Sequence, residues 1–300
     1  MAIWQRINNS FNKIDEVPFK LEKEIQSLFE ENLGKIMGLE MVKSEFTIKN
    51  KRIDTLAYDA ESNAFIIIEY KRGKNISVID QGFSYLGLML ENKADFIVEY
   101  NENSKKTLKR KDIDWSQSRV VFVSQSFTEN QKQAANFKDL AIELWEVKRF
   151  ENNLISISPI KKSSSAESIK PLTQKNQDFK AVQDEIKVYT EEDHLDGKPE
   201  ETKELYEAFK DAILNLAEGI EVETKQTYIA FKKGRNITDI NIQKKQIKLH
   251  INLIKGKLDD PKKLTRDVSK IGIWGSGDYE IIVKDTKQIE YIMSLVKQAI

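Results

Sequence analysis

The chain has 300 residues, 40% hydrophobic and 32% charged, with 12 Gly and 5 Pro, which excludes a fibrous or low-complexity protein and leaves room for two domains. Zero Cys removes disulfides, thiolate metal sites and cysteine nucleophiles, and two His (His194, His250) leave little for a histidine-rich zinc site or a serine hydrolase triad. Lys+Arg and Asp+Glu both total 48, but residues 184–223 hold 14 acids against 4 bases and residues 225–257 hold 9 bases against one acid. No run approaches the roughly 20 apolar residues of a membrane helix, and Met-Ala-Ile-Trp-Gln-Arg lacks the apolar run of a signal peptide, so a cytoplasmic location is expected.

In chain order, Leu21, Ile25, Leu28, Phe29, Leu33 and Ile36 predict an amphipathic helix over 18–38. Extended runs 41–48, 52–58 and 64–71, separated by Asn50-Lys51 and Glu61-Ser62-Asn63, predict an antiparallel meander. Ser77 caps a second helix with Val78, Ile79, Phe83, Leu86 and Leu90 on one face, ending near Asn92. Then follow a strand 95–99, a basic turn or helix 105–111, a strand 119–124, a helix 128–137, a strand 141–147 and an extended run 154–157. The resulting fold class is α/β, a mixed sheet flanked by helices.

Residues 161–183, with three consecutive Ser, read as a linker between a domain over 1–160 and one over 184–300. The second domain is α+β: a helix 200–218, strands 227–231, 237–242 and 247–253, a helix near 262–268, a strand 279–283 and a helix 287–299.

The chemically informative stretch is Arg52-Ile-Asp-Thr-Leu-Ala-Tyr-Asp59 followed by Ile66-Ile-Ile-Glu-Tyr-Lys-Arg72. Strand alternation puts Glu69 and Lys71 on one face of an otherwise apolar, buried strand, where charges need partners. With Asp54 on the neighbouring strand, two carboxylates approach each other and a divalent cation between them would relieve the repulsion. The plainer reading is a buried Glu69 to Lys71 ion pair with Asp54 in a turn.

Asp54, fourteen residues, then Glu69-Tyr-Lys71, between two helices and in α-βββ-α-β order, resembles the PD-(D/E)XK nuclease superfamily with its restriction-endonuclease-like fold. Gln81 and Tyr85, at i and i+4 on the second helix, are similar to the QxxxY signature of the superfamily's exonuclease branch. The residue before Asp54 is Ile53 rather than Pro, a departure from the motif. The resemblance spans about residues 15–158. It implies Asp54, Glu69, Lys71, Gln81 and Tyr85 as catalytic residues, and Mg²⁺ or Mn²⁺ on Asp54 and Glu69 with Glu22 or Glu24 of the first helix, Glu22 preferred. Residues 77–82 and 92–101 look like a prokaryotic branch sometimes labelled a predicted transport protein, although nothing in the chain supports transport. Tyr228-Ile-Ala-Phe-Lys-Lys-Gly, Asp259-Asp-Pro and 274–280 resemble a domain of unknown function that often follows such a fold.

The implied activity is metal-dependent phosphodiester hydrolysis in defence or repair, with nucleic acid as partner, DNA before RNA. Lys105, Lys106, Lys109, Arg110, Lys232, Lys233, Arg235, Lys244 and Lys248 are the candidate phosphate contacts. Trp274, Tyr228 and Phe231 are weaker candidates for base stacking, a core role being the plainer one, and Gly272, Gly275 and Gly277 read as a tight turn. The rival function is a non-catalytic module on the same fold that binds nucleic acid or protein. Under either reading, a homodimer or a partner protein docked on the second domain is a further expected partner.

Overall fold

A computed structural model describes residues 2–72, 77–163, 165–174, 176–271 and 277–300, so Trp274, Gly272 and Gly275 lie outside the described residues. The chain divides into two compact units, Met1–Val188 and Tyr189–Ile300.

The first unit opens on a two-stranded antiparallel ribbon, β1 (Ile3–Ile7) and β2 (Ser10–Ile14). It then runs through α1 (Glu22–Ile36), β3 (Glu40–Ile48), β4 (Lys51–Asp59), β5 (Ala64–Lys71), α2 (Val78–Glu91), α3 (Lys93–Asn103), β6 (Arg119–Ser124), α4 (Glu129–Ala135), β7 (Ile142–Arg149) and β8 (Ile155–Pro159). The six strands β3 to β8 lie in sequence order in one sheet. β3, β4 and β5 form the expected antiparallel meander, β5, β6 and β7 are parallel, and β8 returns antiparallel. This is the expected mixed sheet flanked by helices.

Apolar residues on both sides of the central strands explain its two layers. Ile25, Phe29 and Leu33 of α1 pack on Ile66, Ile68, Val121 and Val123, whereas Val78, Phe83 and Leu86 of α2 pack on Leu56, Ile67, Val120 and Phe122. β5 is buried from Ala64 to Tyr70, and Glu69, the last but one residue of that run, is only 2% exposed.

Two expectations about the first unit are corrected here. Residues 95–99 are not a strand but the centre of α3, because Phe96, Ile97 and Tyr100 bury one helical face; a short apolar run carries no period that separates the two. Of the turn or helix expected at 105–111, the structure takes the turn: a loop that ends in a 3₁₀ turn at Arg110–Asp112. Residues 161–183 are not a linker: α5 (Lys170–Thr173) and α6 (Gln177–Glu185) belong to the first unit, with Ile169, Val182 and Ile186 in its core and Phe179 stacked on Phe83 at 4.2 Å.

The second unit holds α7 (Glu191–Leu195), α8 (Glu200–Leu214), β9 (Glu221–Thr224), β10 (Ile229–Lys233), β11 (Arg235–Ile242), β12 (Ile247–Ile251), β13 (Arg266–Asp267), β14 (Tyr279–Val283) and α9 (Ile289–Val296). Its sheet is antiparallel in the order β13-β14-β12-β11-β10-β9. Tyr206, Phe209 and Ile213 of α8 and Ile292, Leu295 and Val296 of α9 cover one face. The expected helix at 262–268 is absent; Asp260 instead accepts Thr265's backbone N–H at 2.8 Å and its hydroxyl at 2.9 Å, and the chain proceeds extended into β13. Phe231 and Tyr228 are buried, which assigns both to the core rather than to base stacking.

Candidate active site

The β4 to β5 register pairs Thr55 with Ile68, so the next opposed residues along the ladder are Asp54 and Glu69. At this point side chains replace the ladder. Glu69 Oε1 accepts the Asp54 backbone N–H at 3.2 Å, and Asp54 Oδ2 accepts the Tyr70 backbone N–H at 3.0 Å. Lys71, two residues beyond Glu69 and on the same face, donates from Nζ to Glu69 Oε2 at 3.1 Å. The expected proximity of Asp54, Glu69 and Lys71 is therefore present, and the Glu69 to Lys71 ion pair coexists with it.

Burial, then the charge of Asp54, holds the Glu69 carboxyl above the usual carboxylate range despite Lys71. Burial also lifts Asp54, helped by Glu45 and Glu22 and opposed by the Tyr70 N–H and Lys71. Two carboxyls raised together mark a place where negative charge is undercompensated.

α2 brings Gln81 and Tyr85 to the same side. Gln81 Nε2 lies 3.3 Å from the Tyr85 hydroxyl, which donates to the Arg52 carbonyl at 3.3 Å. Burial and then Glu69's charge push the Tyr85 phenol well above its ordinary value, so it stays a neutral donor. Ser77 accepts the Asp80 N–H and fixes the start of the helix that carries this pair.

The first-helix acids are separated by the structure. Glu22 accepts the Arg72 backbone N–H at 2.7 Å and its charge reaches Asp54, whereas Glu24 is taken by Arg149 at 3.1 Å. The residue that sequence reasoning missed is Gln26, 4% exposed: its Nε2 donates to the Asp54 carbonyl at 2.9 Å and to Glu30 Oε1 at 2.9 Å. Glu30 in turn accepts the Thr55 hydroxyl at 2.5 Å, tying α1 to the strand that bears Asp54. Glu22, Gln26 and Glu30 recur every four residues, a polar stripe beside the apolar one that was readable in the sequence.

Among the described residues no group of three or more His, Cys, Asp or Glu is placed to hold a metal ion. Asp54 and Glu69 alone supply an all-oxygen donor pair with excess negative charge, which fits a hard divalent cation that keeps most of its shell as water and substrate oxygens, in the manner of Mg²⁺.

The candidate phosphate contacts divide. Lys105, Lys109 and Arg110 are exposed, and Lys106 pairs with Glu40 at 2.8 Å. In the second unit Lys233, Arg235 and Lys244 are exposed, but Lys232 pairs with Glu223 at 2.5 Å and Lys248 with Glu280 at 3.4 Å. The run of nine bases is thus partly neutralised by acids brought in from neighbouring strands. No described helix is long and apolar enough to cross a membrane.

Among solved structures, the chain is similar to the EndoMS–dsDNA2 complex (21% identity, TM-score 0.27, 41% of this chain and 44% of that one). It is also similar to a repair endonuclease from Pyrococcus abyssi (21%, 0.24, 40% and 44%) and to Pyrococcus furiosus SfsA in complex with Ca²⁺ (13%, 0.25, 53% and 75%). The chain spans less than half the length of the first two, and at such scores the fold rests on its own sheet topology. Residues 191–300 match the family described as Domain of unknown function (DUF5655). A Haemophilus influenzae protein described as "Uncharacterized protein" is 57% identical over 300 residues, covering 100% of this chain and 99% of that one. By that likeness over nearly the whole of both sequences, the chain belongs to the same protein family as this Haemophilus influenzae protein.

Proposed function

We propose that the first unit is a metal-dependent nuclease of the PD-(D/E)XK type, hydrolysing phosphodiester bonds of nucleic acid, DNA before RNA. The observation that carries this reading is the Asp54 and Glu69 clasp: two mutually repelling carboxyls, raised together, with Lys71 3.1 Å from one of them. A structural ion pair would be served by one carboxylate.

Asp54 and Glu69 would hold Mg²⁺ or Mn²⁺, with Glu22 the nearer of the two first-helix acids. When bound, such a cation polarises the phosphoryl oxygen and lowers the pKa of water. Lys71, held on Glu69, offers its ammonium to the attacking water or to the charge growing on the phosphate. Gln81 and Tyr85 orient the substrate backbone as neutral donors. Lys105, Lys109 and Arg110 in this unit, and Lys233, Arg235 and Lys244 in the other, supply exposed cations for phosphates.

The test is cleavage of a panel of single- and double-stranded DNA and RNA with Mg²⁺, Mn²⁺ or chelator. The parent should cut with metal and not with chelator, and Glu69→Ala should be inactive while folded. Equal digestion by Glu69→Ala, or digestion in chelator, overturns the reading.

A further inference from the structure

The segment that leads from the first ribbon to α1 follows one edge of the main sheet. β5, β6 and β7 are parallel, so their C-terminal ends at Lys71, Ser124 and Arg149 share that edge. Glu16 bridges to Phe150 and the Val17 N–H donates to the Arg149 carbonyl at 2.8 Å, past the end of β7. Phe19 and Gln125 exchange two hydrogen bonds, at 2.7 and 3.2 Å, past the end of β6. Glu22 then meets the Arg72 N–H past the end of β5. The ribbon is therefore anchored at the end of the sheet that carries Glu69 and Lys71, two strands across, roughly 10 Å, and five residues of register beyond the level of Glu69, roughly 16 Å along the strand.

Its register pairs Trp4 with Lys13 and Arg6 with Phe11, so these four share one face. The other face carries Ile14, which is buried, and Gln5, which accepts from Asn152 at 3.2 Å. The outward face is bare: Trp4 is 55% exposed and Phe11 67%. Residues 3–14 contain two cations and no acid. Arg6 Nε is bonded to the Asn8 carbonyl, and Lys13 pairs with Asp15 at 3.0 Å; both partners of that pair are exposed, where such contacts are weak and readily exchanged. A lone two-stranded ribbon is marginal in water, and two large aromatics left uncovered on its outer face mark an interaction surface.

We propose that this face binds an unpaired nucleic-acid strand, its bases stacking on Trp4 and Phe11 and its phosphates meeting Arg6 and Lys13. Aromatic platforms suit unpaired bases, whose π-faces are free, and interleaved cations suit the backbone between them. The inference rests on the nuclease reading for the direction of the strand toward Glu69, but its binding test is independent of cleavage.

The experiment measures anisotropy of a fluorescein-labelled oligothymidylate and of a labelled duplex with the full chain in chelator. Replacing both Trp4 and Phe11 by Ala should weaken oligothymidylate binding at least about tenfold, with duplex binding less affected, whereas Trp4→Phe should retain it. Replacing Arg6 and Lys13 by Ala should reduce the salt slope by about 1.4, or 0.7 for each phosphate contact on a single strand. Circular dichroism confirms that the variants are folded. Unchanged affinity in the folded double aromatic variant overturns the proposal, as does an equal loss for duplex. A parent dimer that this variant dissociates, with binding intact, assigns the face to a second copy instead. Loss of binding in this variant beside a parent that never cleaves sinks the nuclease reading and leaves the binding face standing.

Discussion

Gly82 of α2 lies so close to Ile142 of β7 that a Cβ on it would stand 2.3 Å from the Ile142 Cδ1. The Ile142 side chain fills the space that a side chain on the helix would otherwise take. The neighbours on the helix are Gln81 and Tyr85, so this approach sets how far the donor pair stands from Glu69.

Gly82→Ala should therefore destabilise the first unit by about 1–3 kcal/mol, the usual cost of overpacking, despite the better helix propensity of Ala. The urea midpoint reads this directly. A midpoint equal to or above the parent's would show that Ile142 can yield at no cost.

Asp54→Asn preserves an acceptor for the Tyr70 N–H while removing one of the two crowded charges. Both carboxyls have raised folded values, so the native state retains protons that the unfolded chain has released, and stability falls as pH rises through the folded values. In chelator at neutral pH the variant should melt above the parent. Added Mg²⁺ or Mn²⁺ should stabilise the parent, by about 2.7 kcal/mol at a hundredfold excess over Kd, and leave the variant unmoved. Scanning calorimetry separates these cases, and a parent indifferent to both cations would remove the metal assignment.

Because α6 contributes Val182 and Ile186 to the first core and stacks Phe179 on Phe83, a fragment ending at residue 160 should be less stable than one ending at Val188. Phe179→Ala in the full chain should cost about 2 kcal/mol, below the range for a fully buried Phe because this ring is half-buried. Equal denaturant midpoints for the two fragments would restore the linker reading.

His250, 2% exposed, stands between Asp239, 3.0 Å from Nδ1, and Glu280, 3.3 Å from Nε2. Burial pushes the ring toward neutrality, but the two carboxylates outweigh it and raise its pKa. Stability from this group is thus full below the unfolded value of about 6.5 and lost as pH rises through the higher folded value. The fragment Tyr189–Ile300 should show urea midpoints that decline over that window. His250→Gln should flatten the decline and cost about 3 kcal/mol at pH 6, as expected when a buried charge pair loses one partner. A midpoint that rises with pH would contradict the imidazolium.

The sequence by itself determined the features set by local period: the meander of β3 to β5, helices α1, α2 and α8, and the sharing of one strand face by Glu69 and Lys71, since alternation and 3.6-residue spacing need no distant partner. Asp54, Gln81 and Tyr85 were singled out by resemblance to a family motif, which local period alone does not supply. Tertiary structure alone decided what depends on residues far apart in the chain. Glu24 is drawn off by Arg149, 125 residues away, and Gln26 finds the Asp54 carbonyl 28 residues on. Phe96 and Tyr100 become helical because a core receives that face, and Lys232 and Lys248 lose their free charge to acids that sheet pairing brings alongside. The ribbon at 3–14, whose apolar residues are too few to mark a buried face, was fixed in place by the edge of a sheet built more than 100 residues later.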